Sequence, residues 1–111
     1  MRRLTRKMAE EEEEEFEEKE RFSFTAHVHG KVFVISAGDA TQRIKWLASV
    51  AISRWDEKDQ QGWKWLGIPT IVKAHRRDGV NIDLFSVIKD VLQNGDHIYV
   101  TTSLTPSETI P

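Results

Sequence analysis

Four histidines are the side chains of this chain best suited to do chemistry. His27 and His29 stand two residues apart, so on a strand both project to one side, and His75 and His97 could approach from neighbouring strands. The chemistry such a group invites is metal ligation. Zinc sites need three or four converging ligands at a recognisable spacing, and four histidines scattered over three segments lack that pattern. The expectation is solvent-facing strand histidines and no metal.

Nucleophilic and phosphate chemistry find less support. Serines and histidines occur without a nucleophile-elbow pattern, and Gly38-Asp39 lacks the Gly and Lys spacing of a phosphate-binding loop. Asp78, Asp83, Asp90 and Asp96 fall at turn or cap positions, where hydrogen bonding to the backbone already explains them. No catalytic residue and no cofactor are expected, and the chain reads as a non-enzyme.

Binding chemistry is better represented. Lys73, Arg76 and Arg77 cluster around an Asp78-Gly79 turn, and Arg43, Lys45 and Arg54 lie on a helical segment that also carries Trp46. Such a cluster could meet a polyanion, but residues 22–111 carry a net charge of only +1, and polyanion binding needs several neutralising contacts on a clearly basic face.

The length of 111 residues suits one domain with a single core. The absence of cysteine rules out a disulfide, a thiolate nucleophile and a Cys-bearing zinc knuckle, and fits a reducing compartment. The cytoplasm is expected, with the nucleus as the alternative. No apolar run approaches the ~20 residues needed to cross a bilayer, so no membrane partner is expected. The basic residues Arg2, Arg3, Arg6 and Lys7 precede Glu rather than an apolar signal core. Residues 1–21 hold a net charge of −3, with Glu10 to Glu15 uninterrupted. Like-charge repulsion predicts a disordered acidic N-terminal arm over 1–21, either a solubilising tail or an arm that competes with a partner for basic residues. Met8 could be an alternative translation start.

The elements that must position these side chains follow from periodicity. Phe22, Phe24, Ala26 and Val28 alternate with Ser23, Thr25, His27 and His29, the period of a half-buried strand, and Gly30 turns the chain into a second strand at Val32 to Ile35. Asp39 or Thr41 is expected to cap a helix from Thr41 to Trp55, with Ile44, Leu47, Ala48, Ala51 and Trp55 on one stripe and Trp46 on the polar face. Trp63 and Trp65 flank Lys64 in a loop, where they are expected to cover the lower edge of the core, the alternative being an exposed aromatic platform. A third strand from Thr70 to His75 turns at Asp78-Gly79 and returns through Val80 to Ile82. Asp83 is expected to cap a short helix reaching Leu92, and a last strand from His97 to Thr102 alternates Ile98 and Val100 with His97, Tyr99 and Thr101.

The order strand, strand, long helix, strand, strand, short helix, strand, together with the ending Leu92-Gln93-Asn94-Gly95-Asp96-His97-Ile98-Tyr99-Val100, resembles ubiquitin-like β-grasp domains. A doublecortin-like variant is similar too, in its Asp78-Gly79 hairpin tip ahead of Gly95 and Tyr99. The resemblance covers residues 22–102 and implies an α+β fold, a mixed sheet packed on one long helix, over 22–103, with a tail over 104–111. The Trp-rich loop and the length of the Asp83 to Leu92 stretch depart from ubiquitin. A conjugated modifier ends in Gly-Gly, whereas this chain ends Thr109-Ile110-Pro111. The resemblance therefore implies a non-catalytic interaction or adaptor module rather than a conjugated modifier, monomeric and bound to another protein. The alternative is microtubule or nucleic-acid binding through the basic patch. The partner-binding residues expected are Trp46, His27, Tyr99, Lys73, Arg76 and Arg77.

Overall fold

In the computed structural model, which describes residues 21–76 and 79–106, the first strand follows the alternation of its sequence. β1 (Phe22–Val28) turns Phe24, Ala26 and Val28 inward, where each is buried. His29 and Gly30 both take positive φ, 45° and 84°, the signature of a two-residue hairpin turn that matches strand twist. β2 (Lys31–Gly38) returns antiparallel, with Ala26 opposite Phe33 and His27 opposite Val32. The sequence left the buried side of β2 open because it is apolar on both faces. Register decides it: Ile35 and Ala37 are buried, whereas Val32 and Val34 face solvent.

Beyond the helices, β3 (Pro69–Ala74) pairs with the two-residue β4 (Asn81–Ile82), and β5 (His97–Thr102) runs antiparallel to β3 and parallel to β1. The sheet order is β2-β1-β5-β3-β4. The fold is thus α+β, a five-stranded mixed sheet with helices on one side. α1 (Ile44–Arg54) buries Ile44, Leu47, Ala48 and Ala51 against the inner face as expected from 100° steps, with Ile52 completing the stripe in place of Trp55, which follows the helix and is only partly buried. The acidic arm, the turn residues Arg77 and Asp78 and the end of the tail lie outside the described residues. No helix among the described residues is long and apolar enough to cross a membrane.

Three local expectations are corrected. α1 begins at Ile44 rather than Thr41, and no side chain caps it. The Asp39 carboxylate instead accepts from the Thr41 hydroxyl (2.8 Å) and N–H (3.3 Å), closing a turn before the helix. The first N–H groups of α1 donate to backbone carbonyls: Ile44 to Ser86 (2.9 Å) and Lys45 to Leu84 (2.8 Å). Asp83 does not cap a helix through Leu92 either. Its carboxylate accepts from the Phe85 N–H at 2.9 Å and its carbonyl from Ser86, making a turn, and α3 spans only Ile88–Val91. Residues 84–86 cannot be helical while their carbonyls serve α1, so Phe85 is left 65% exposed. The Trp-rich loop is no loop: Trp63–Leu66 forms a short helix, α2, which buries Leu66 and leaves Trp63 52% exposed. The expected element order therefore gains one helix, and the core edge is sealed by Leu66 rather than by the Trp63 indole.

The α1–α3 contact has a mutational signature. Ile88, fully buried, should cost about 2–5 kcal/mol on truncation to Ala. Phe85→Ala, three residues earlier in the same apolar run, should stay within about 0.5 kcal/mol. Urea unfolding of the two variants checks this, and equal costs would contradict the short helix. A second expectation concerns acid. The Thr41 hydroxyl, against an opposing desolvation and helped by the Thr41 N–H and the charge of Lys89, holds the Asp39 carboxyl below its ordinary value of 3.8. The folded state thus binds this proton less readily than the unfolded chain. The contribution is complete above pH 3.8 and disappears as pH falls through the lower folded value. Asp39→Asn should therefore remove stability at neutral pH and little in strong acid, read from thermal melts across that range.

Candidate docking face

The pleat of the sheet sends every second side chain outward, and register aligns these side chains in rows. One row runs Lys73, Tyr99, His27, Val32 across β3, β5, β1 and β2, and the next places His97, Thr25 and Val34 side by side. Three of the expected binding residues, His27, Tyr99 and Lys73, therefore meet on one face.

Rings hold the centre of the face. Tyr99 stacks on His27 with centroids 4.1 Å apart and planes at 14°. His27 Nε2 lies 2.9 Å from His97 Nδ1, which crosses from β1 to the neighbouring parallel strand. His29, at the hairpin turn, makes a 2.7 Å contact from Nε2 to the Thr102 hydroxyl. Of the four histidines, two are thus joined and one is held by a hydroxyl. His75 stands apart: it takes φ of 75° after β3 has ended, and its Nδ1 lies 3.8 Å from the Asp96 carboxylate. No group of three or more metal-ligating side chains converges among the described residues.

Around the rings the face grades from cationic to apolar. Lys73 flanks the β3 side, while Val32 (57% exposed) and Val34 (64% exposed) flank the β2 side. None of the outward residues on β1, β2, β3 and β5, from Ser23 to Thr101, is a carboxylate. A shallow hollow of about 510 Å³ opens at the hairpin end, lined by His27, His29, Lys31, Val32, Lys73 and Tyr99. The arrangement offers stacking and apolar contact with a polar rim. It offers no activated nucleophile.

The remaining expected residues lie elsewhere. Trp46 is 38% exposed on α1, behind the inner face, so it cannot share a partner surface with His27 unless the partner wraps the domain. Arg76 occupies the turn after β3, its N–H bonded to the Ala74 carbonyl, and Arg77 lies outside the described residues. The sequence placed Arg43 and Lys45 on the segment that carries Trp46 but missed that Phe85 joins them. Lys45 Nζ sits 5.8 Å from the Phe85 ring and Arg43 donates to the Phe85 carbonyl at 2.7 Å. The signal that could have found it was the conflict at Asp83, whose turn-forming side chain argues against continuing a helix through Phe85.

No protein-family model and no curated protein matches the chain.

The face makes a prediction about neighbours in sequence. Val34→Ser should change stability by no more than about 0.5 kcal/mol, because its side chain stays in water. Ile35→Ala, one residue on and buried, should cost about 2–5 kcal/mol. Comparable losses in denaturant titrations would place Val34 under cover rather than on an open face.

Proposed function

We propose that this chain is a non-catalytic protein-binding module that docks a partner protein on the outer face of its sheet. The observation that carries the reading is the outward row of Lys73, Tyr99, His27 and Val32, in which Val32 is exposed and the other three are half-buried, and which is screened by no carboxylate. An aromatic and aliphatic centre with a polar rim is the composition of protein interfaces, where Tyr is enriched among residues that carry binding energy. The side chains also need little ordering, because stacking on His27 already fixes Tyr99.

We read the framework as a ubiquitin-like β-grasp. The parallel pairing of the first and last strands, the order β2-β1-β5-β3-β4 and a helix crossing the inner face support that reading. That reading stands on topology. A polyanion-binding module, acting on a microtubule or a nucleic acid, is the second reading. The Lys45, Arg43, Trp46 and Phe85 cluster favours it, since exposed aromatics beside cations suit such partners.

The two readings use opposite sides of the domain, and that separates them experimentally. With the full chain immobilised in a cell lysate, a discrete protein should be retained by the parent and by Trp46→Ala. Val34→Lys and Tyr99→Ala should lose it by about tenfold or more, with thermal melts unchanged for Val34→Lys. Retention that instead fails with Trp46→Ala or Lys45→Ala, and is released by moderate salt, would transfer the function to the α1 side.

A further inference from the structure

The contact between His27 and His97 is the most specific chemistry on the face. Its nitrogens are 2.9 Å apart and the ring centroids 5.1 Å apart, so the centroid distance exceeds the nitrogen distance by about one ring radius at each end. The two nitrogens therefore point at each other along one line. Lone pairs that bind a common metal ion converge on a third point instead, as tetrahedral sites require. The geometry is that of a shared proton: one ring supplies an N–H and the other a lone pair.

We propose that His27 and His97 form a proton-sharing pair that switches the charge and the order of the docking face. In the neutral pair a single N–H lies between the rings. One proton taken from solvent onto the donating ring leaves that bond intact and makes it charge-assisted, which strengthens it. A second proton has only the accepting nitrogen between the rings to bind. Two N–H groups and two positive charges would then face each other, and the contact must open. The rings have no other route to double protonation.

One surrounding charge acts in the same direction. Asp96, the residue before β5, turns its carboxylate to His75 and to the Gln93 N–H rather than to the pair. Lys73 lies beside Tyr99 on β3, so a second charge meets a cation on the same face. Lys31 is turned away from the pair, its Nζ on the Trp55 carbonyl and 3.5 Å from the Glu57 carboxylate. β2 presents Val32 and Val34 to the pair and β4 presents Asn81 beside Lys73, none of them charged. Opening the pair removes the support on which Tyr99 stacks, so the ring row loses its fixed geometry as well as its neutrality.

The role at the docking face rests on the preceding reading, whereas the proton-sharing itself does not. The test is therefore made first on the full chain without a partner, by following histidine ring signals in NMR from about pH 8 to pH 5, the range in which histidine charge changes. His27 and His97 should each move in two steps at common inflections, and the Tyr99 ring signals should shift with the more acidic step. In His97→Gln, which keeps an amide donor and acceptor but takes up no proton, His27 should move in one step. Single independent steps in the parent, unchanged by His97→Gln, would overturn the pair. Should His97→Gln unfold, His27→Gln read at His97 gives the same discrimination. With a partner in hand, capture weaker by about tenfold at the acidic end supports the switch. Equal capture at both ends, with two-step titration present, overturns its role in docking while leaving the pair in place.

Discussion

The parallel pairing of β1 with β5 is the contact on which the rest of the molecule depends. It joins Thr25 to His97 and Val28 to Val100, residues about seventy positions apart, and sets the first and last strands side by side at the middle of the sheet. Parallel strands need a crossover between them, and here everything from β2 to α3 is that crossover. With β1 and β5 fixed, β2 and β3 take the positions that flank the pair, and the inward row of Phe24, Ala26, Ile98 and Val100 becomes the floor on which α1 packs. The same register sends His27, Tyr99 and His97 to the other side as neighbours, so one pairing makes both the core and the candidate site.

A second device holds the crossover in place. The chain entering α1 and the chain entering α3 satisfy each other: Ile44 and Lys45 donate to Ser86 and Leu84, while Ile88 and Lys89 donate to Gln42 and Ala40. Arg43 and Val87 form an isolated antiparallel bridge between them. Helix starts leave free N–H groups that normally take a side-chain cap, and here two helices without such caps share one backbone exchange. Ile44 and Ile88, both fully buried, lie at its centre, so the polar exchange is sealed by apolar packing. This is a non-local solution to a problem that sequence reading treats as local.

The two faces of the sheet serve different ends at little mutual cost. Substitutions on the outer face leave the inner row untouched, because the pleat separates them by construction. That independence lets the outer face carry strained or polar features, such as the histidine pair and the positive φ at His29, without weakening the core. The edge next to it is not left open either. Arg54 donates to the Val34 carbonyl at 2.9 Å and Lys31 to the Trp55 carbonyl at 2.9 Å, tying the edge strand β2 to the end of α1. Cationic side chains on an edge of this kind discourage pairing with other chains.

The sequence by itself determined the elements whose burial is periodic. β1, α1 and β5 were legible because one face of each is apolar and the other polar, and that contrast is a local property of consecutive residues. It also set Thr25 and His27 opposite the apolar side of β1, Tyr99 and His97 opposite that of β5, and Trp46 opposite the apolar stripe of α1. What only the tertiary structure decided are the features that pair distant segments. The exposed side of β2, the short α3 and the exposed Trp63 each follow from which strand or carbonyl stands opposite, and periodicity carries no record of that partner. The His27–His97 contact belongs to the same class. Two histidines seventy residues apart acquire a 2.9 Å relation only when parallel register sets their strands side by side.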